Sequence, residues 1–223
     1  MPRLLILASL AAFALAGCTG QRSMNELERD GDFAIKHENW EAARANYEEF
    51  VTRKPEDHLA QYKLGVALTK LGDCRNAMRH LSLALEVRPL SDEYADAYAE
   101  ALYCAGERDE LTATLARLAS ERGKPRDYVR WGTYAAKLGN IDEAQQALLT
   151  GARLDRGMNM YPQRALADLY KELGDNERYI RRLRMCYFLA PQDEDLIKEI
   201  RAAGEIPGPT FALQPEEYAP LAP

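Results

Sequence analysis

The sequence predicts an all-α fold: a solenoid of five stacked helix pairs closed by a short capping helix. Three observations carry that prediction. With Met24, His58, Asp92, Pro125 and Met160 aligned, the steps between them are 34, 34, 33 and 35 residues, a period typical of stacked helix-pair repeats. The eighth position of each unit is small (Gly31, Gly65, Ala99, Gly132, Ala167), which lets two helices approach closely. The fifteenth is Glu38, Gly72, Gly106, Gly139 and Gly174, and glycine there ends a helix by adopting left-handed backbone without a Cβ clash. Hydrophobic residues make up 47% of the 223, which excludes wholesale disorder.

In chain order, residues 1–17 come first. Arg3 supplies a positive charge, Leu4 to Leu15 are apolar apart from Ser9, and Leu15-Ala16-Gly17-Cys18 closes the segment. A dozen helical residues reach about 18 Å, short of the roughly 30 Å of a bilayer core, so this reads as a cleaved export signal. No later stretch approaches the length of a spanning helix, which excludes a multi-pass membrane protein. The final four residues resemble the lipobox of bacterial lipoproteins. That resemblance implies cleavage before Cys18 and a diacylglycerol and palmitate anchor on its thiol, with no other cofactor. Thr19, rather than Asp, follows the cysteine; by the sorting convention of such lipoproteins this implies the periplasmic side of the outer membrane. Residues 18–23 form the tether, and several acyl chains hold stably where one binds reversibly.

Residues 24–192 hold the repeats, with units at 24–57, 58–91, 92–124, 125–159 and 160–192. Position 20 is Ala43, Ala77, Leu111, Ala144 and Tyr179; position 24 is Tyr47, Leu81, Leu115, Leu148 and Leu183. Proline closes three units, at Pro55, Pro89 and Pro191, where it stops a helix. The pattern resembles the tetratricopeptide repeat (TPR) family over most of the chain, and the resemblance implies a right-handed superhelix. Unit three departs from it at Leu111 and Gly123, and unit five at Tyr179; sequence drift is the expected meaning. Residues 193–203, with Leu196, Ile197 and Ile200, read as the capping helix that stacked repeats need. Residues 204–223 carry five prolines in their last 17 positions. This predicts an extended or disordered tail, either solvated or packed through Phe211 and Tyr218.

Export implies an oxidising compartment. Helices of this family run antiparallel, which brings Cys74 and Cys104 to one edge. A bridge there would contribute about 3–4 kcal/mol in the chain-entropy model; two free, partly buried thiols are the alternative. Cys186 reads as inert core.

Chemistry is sparse. His37, His58 and His80 are scattered, and no zinc spacing, nucleophile elbow or phosphate-cradling glycine loop occurs. No enzyme, metal or small-molecule substrate is expected. A formal charge of −6 without a basic block argues against nucleic acid.

What remains is a surface for other proteins or peptides. In the TPR family, first-helix positions line a concave groove. Mapped here, they give Tyr62, Val66, Glu100, Tyr103, Val129, Thr133, Tyr161 and Arg164 as partner-binding residues. Carboxylates at Glu28, Asp32, Asp96 and Glu100 predict repulsion of acidic ligands and favour a basic, apolar partner segment. The resemblance implies a membrane-anchored scaffold for envelope, secretion or pilus assembly. A pilotin-like client chaperone and an adaptor of a cell-wall enzyme or protease remain alternatives.

Overall fold

The computed structural model describes residues 21–218, so the signal segment and Cys18 lie outside the described residues. These residues form eleven helices and no strand. Five antiparallel pairs stack in order: α1 (Met24–Lys36) with α2 (Trp40–Arg53), α3 (His58–Lys70) with α4 (Cys74–Val87), α5 (Asp92–Ala105) with α6 (Arg108–Arg122), α7 (Pro125–Lys137) with α8 (Ile141–Asp155), and α9 (Met160–Glu172) with α10 (Asn176–Leu189). The short α11 (Glu194–Ala202) closes the stack against α10.

Local chemistry sets the helix ends. Ser23 and Glu26 form a reciprocal capping box at α1, and Asp57, Ser91 and Asp193 accept from the first free amides of α3, α5 and α11. Such caps satisfy donors that a helix cannot satisfy itself. The turn inside each pair is left-handed, at φ 81° for Gly72 and 83° for Gly139, and Glu38 takes the same conformation at φ 54°.

Within a pair, closeness rests on the missing side chain at position 8. A Cβ on Gly132 would sit 2.6 Å from Leu148 Cγ, and Gly31 and Gly65 stand similarly close to Tyr47 and Leu81. Unit three is different: α5 and α6 approach each other far less closely than the helices of any other pair. Leu111, fully buried, stands in that unit where three others have alanine. The departure read as drift coincides with a structural difference. Tyr179 is accommodated otherwise: it is buried, and its hydroxyl donates to Glu199 of the capping helix at 2.8 Å.

The apolar core falls into two large blocks and a small cluster of Ala34, Ala43 and Ala67. One large block runs through α1–α6 and ends at Tyr134; the other starts at Ala135 and runs to Ile200 and Phe211. Charges join them. Arg122, Asp127 and Arg130, with side chains 3%, 0% and 4% exposed, form ion pairs with one another and with Asp92 and Asp96. Burial works against the Arg130 cation, but Asp96 and Asp127 more than reverse this and raise its pKa. Arg122 Nε and Asp127 Oδ2 find no hydrogen-bond partner, a cost that buried ion clusters carry.

Cys74, at the start of α4, and Cys104, near the end of α5, are joined in a disulfide with Cα atoms 5.8 Å apart. Cys186 is buried, and burial pushes its thiol pKa up to about 12. The C-terminal segment is non-helical and docked: Phe211 is 6% exposed and packs edge-on against Tyr187 of α10. Up to Tyr218 this segment carries turns at 209–211 and 216–217 and no helix.

Candidate functional site

The odd-numbered helices share one face of the stack, with α3 against α5 and α7 against α9. Two adjoining hollows open on it. One, of about 600 Å³, is lined by Asp96, Arg126, Val129, Tyr134 and Lys137 among others; the next, of about 540 Å³, by Met160, Arg164, Asp168, Lys171 and Glu172 among others. Thr133, Lys137 and Tyr161 belong to both, so the hollows form one continuous trough across α5, α7 and α9.

The sequence-derived groove residues divide between this trough and the packing beside it. Val129, Thr133, Tyr161 and Arg164 line the trough. Tyr103 is 40% exposed at its edge, tilted against Tyr134 with ring centroids 5.7 Å apart. Glu100 accepts from the Tyr134 hydroxyl at 2.8 Å. Tyr62 lies elsewhere, stacked on Tyr94 at 4.6 Å, and Val66 packs against the first core block. Neither lines the trough. Tyr134, Arg130 and Met160, at positions 10, 6 and 1 of their units, were not picked out from the sequence. Each lies beside a mapped groove position, and no composition signal distinguishes it.

Charge in the trough is mostly neutralised internally. Arg126 and Arg130 hold Asp96 at 3.0 and 2.5 Å, and Arg164 holds Asp168 at 3.2 Å. Lys63 likewise pairs with Asp32 at 2.6 Å. Two of the carboxylates expected to repel acidic ligands, Asp32 and Asp96, thus already have cations, supplied from the following unit. This removes much of the basis for expecting a basic partner here. Lys137 is the exception among the lining cations. No carboxylate pairs with it among the described residues, and its ammonium lies 4.6 and 5.3 Å from the ring centroids of Tyr134 and Tyr103, within cation–π range. Burial and the charge of Asp155 push the Tyr161 phenol pKa up to about 12, so it stays a neutral donor at physiological pH.

This arrangement can grip. Aromatic area beside the Lys137 ammonium suits an extended peptide, because Tyr combines contact surface with a polar tip. Among the described residues, no group of three or more His, Cys, Asp or Glu side chains could hold a metal ion.

Comparison with solved structures settles the architecture. A thermophilic TPR protein of Thermus thermophilus superposes with a TM-score of 0.58 at 20% identity, covering 81% of this chain and 98% of that one. The fold is a tetratricopeptide repeat solenoid. A TPR protein from Parabacteroides merdae gives a TM-score of 0.59 at 16% identity over 82% of this chain and 72% of that one. MamA of Desulfovibrio magneticus, from residue 41 onward, gives 0.58 at 16% identity, covering 76% and 97% respectively. No protein-family model and no curated protein matches the sequence. At these identities the likeness of the TPR array is one of fold.

Proposed function

We propose that this TPR protein is a lipid-anchored scaffold on the periplasmic face of a bacterial outer membrane, which holds partner polypeptides in the trough across α5, α7 and α9 for envelope, secretion or pilus assembly. The observation that carries the binding half is the continuity of the two hollows through Thr133, Lys137 and Tyr161. The trough crosses three helices, which gives room for a short stretch of extended chain. Lys137 favours an acidic side chain in the middle of that segment, with apolar neighbours against Tyr103 and Tyr161. The anchoring half rests on Leu15-Ala16-Gly17-Cys18.

Photoreactive residues at Tyr103 and Tyr161, with a control at Gln146 on the exposed outer face of α8, test the first half in intact cells. Persistent multi-protein adducts from the trough, absent from the control, support a scaffold. A single transient client would indicate a carrier instead, and no adduct from either position would sink both. Labelled palmitate retained by the parent and lost in Cys18→Ala tests the anchor.

A further inference from the structure

The chain's own C-terminus shows what the outer seam between two neighbouring units can hold. Residues 211–218 lie along α10 without forming a helix. The Leu213 amide donates to the Arg184 carbonyl at 3.1 Å, and the Arg184 guanidinium donates back to the Phe211 carbonyl at 2.8 Å. Pro215 and Tyr218 rest on Gly157, beyond the end of α8, so closely that a Cβ there would overlap Pro215. The Glu217 carboxylate is taken by Arg182 at 2.8 Å and Gln163 at 2.9 Å, and Glu216 by Arg181. In repeat register, Arg182 is position 23 of unit five and Gly157 is position 33 of unit four.

The same two positions at the seam between units two and three are Thr114 and Leu90. There they line an open hollow of about 380 Å³ between α4 and α6. Leu85, Leu118 and the buried ring of Tyr98 supply its apolar lining. Leu90 is 68% exposed, and Leu83 and Val87 continue an apolar stripe outward along α4. The wide spacing of α5 and α6 belongs to this same unit.

Charge at this seam is distributed differently from that at the occupied one. Five charged side chains line it: Glu86, Glu110, Glu121, Arg117 and Arg122. Arg117 is engaged by Glu121 at 3.1 Å and Arg122 by Asp127 at 3.1 Å. Glu110 accepts only from the neutral Tyr98 hydroxyl, at 2.8 Å, and Glu86 has no ion pair among the described residues. Two carboxylates are left uncompensated where the tail's seam offers arginines.

We infer that the hollow between α4 and α6 is a second docking site, separate from the trough, for a non-helical segment of a partner protein. That segment places a large apolar side chain against Leu85, Tyr98 and Leu118 and basic side chains against Glu86 and Glu110. It parallels the seating of Pro215 and Glu217 against Gly157 and Arg182, with the charge exchanged. Anionic surfaces are disfavoured by the same carboxylates.

The tail supplies its own probe. A fluorescent peptide of residues 209–218 carrying Glu216→Lys and Glu217→Lys is titrated by anisotropy into the full chain in detergent, beside the peptide of unaltered sequence. The altered peptide binds saturably and at least tenfold more tightly than the unaltered one. Glu86→Lys combined with Glu110→Gln weakens it at least tenfold while leaving the melting temperature and the trough crosslinks in place. A photoreactive residue at Leu90 captures the altered peptide, and one at Tyr161 does not. Equal binding of both peptides, capture at Tyr161, or indifference to the two substitutions overturns the inference. So does a dimer crosslinked through Leu90, which would assign the hollow to a second copy of the chain.

Discussion

Gly132→Ala separates two opposing effects at the heart of a repeat. Alanine in a helix interior gains about 1 kcal/mol over glycine, so an exposed helix would become more stable. Here the new methyl would lie 2.6 Å from Leu148 Cγ, 2.8 Å from Leu148 Cδ2 and 2.9 Å from the Ala144 carbonyl oxygen. Leu148 is only 1% exposed and has nowhere to turn, and the carbonyl is backbone, so α7 and α8 must separate. Overpacking of this kind costs about 1–3 kcal/mol, and separating a whole helix pair places it toward the upper end. The net expectation is a loss of about 1–2 kcal/mol, or roughly 2–8 °C in melting temperature for a chain of this size. The assay is thermal and urea unfolding followed by circular dichroism. Ala99→Gly, at the same position of the widely spaced third unit, loses helix propensity with little clash to relieve, so it also destabilises, by about 1 kcal/mol. A Gly132→Ala protein more stable than the parent would refute the close packing claimed for α7 and α8.

Glu38→Gly stabilises by about 0.5–1 kcal/mol, because it relieves left-handed backbone (φ 54°) and gives back part of that gain in unfolded-chain entropy; a lower urea midpoint would contradict this. Reducing the Cys74–Cys104 bridge, whose partners are 30 residues apart, lowers stability by about 3–4 kcal/mol in the chain-entropy model, read from paired unfolding curves with and without reductant. Burial works to raise the pKa of Glu217, but the hydrogen bond and charge of Arg182 prevail and hold it below its usual 4.5. The stability it contributes is therefore complete above that pH and is lost as the pH falls through the lower folded value. The protection factor of the Leu213 amide should fall as the pH is lowered from 5 to 3, although intrinsic exchange itself slows over that range, and Glu217→Gln should flatten that fall.

The repeat architecture was legible because it depends on residues with a single structural reason to recur. Gly31, Gly65 and Gly132 admit a neighbouring helix, and Gly72, Gly139 and Gly174 turn the chain; both roles leave a fixed spacing in the sequence. Leu111 was visible as an exception, but the wide spacing of its unit was not, since whether a larger residue pushes helices apart or fits a gap depends on its neighbours. Tyr179 shows the contrary outcome at the same position. The trough was read in part. The resemblance to the repeat family put Val129, Thr133, Tyr161 and Arg164 on one helix face, where they line the hollows, whereas the stacking of Tyr62 on Tyr94 arises between units and leaves no local signature. The same is true of Asp32 and Asp96, whose cations lie about one repeat further along the chain. Docking of the C-terminal segment depends on Arg182 and Gly157 together, a pairing that only the assembled stack reveals.

The division of the apolar core at Tyr134 and Ala135 gives α7 an unusual place in the molecule. Consecutive residues of that one helix are rooted in different hydrophobic blocks, and its outward side presents Thr133 and Lys137 to the trough. A guest held at Lys137 therefore rests on the one helix that contributes to both blocks.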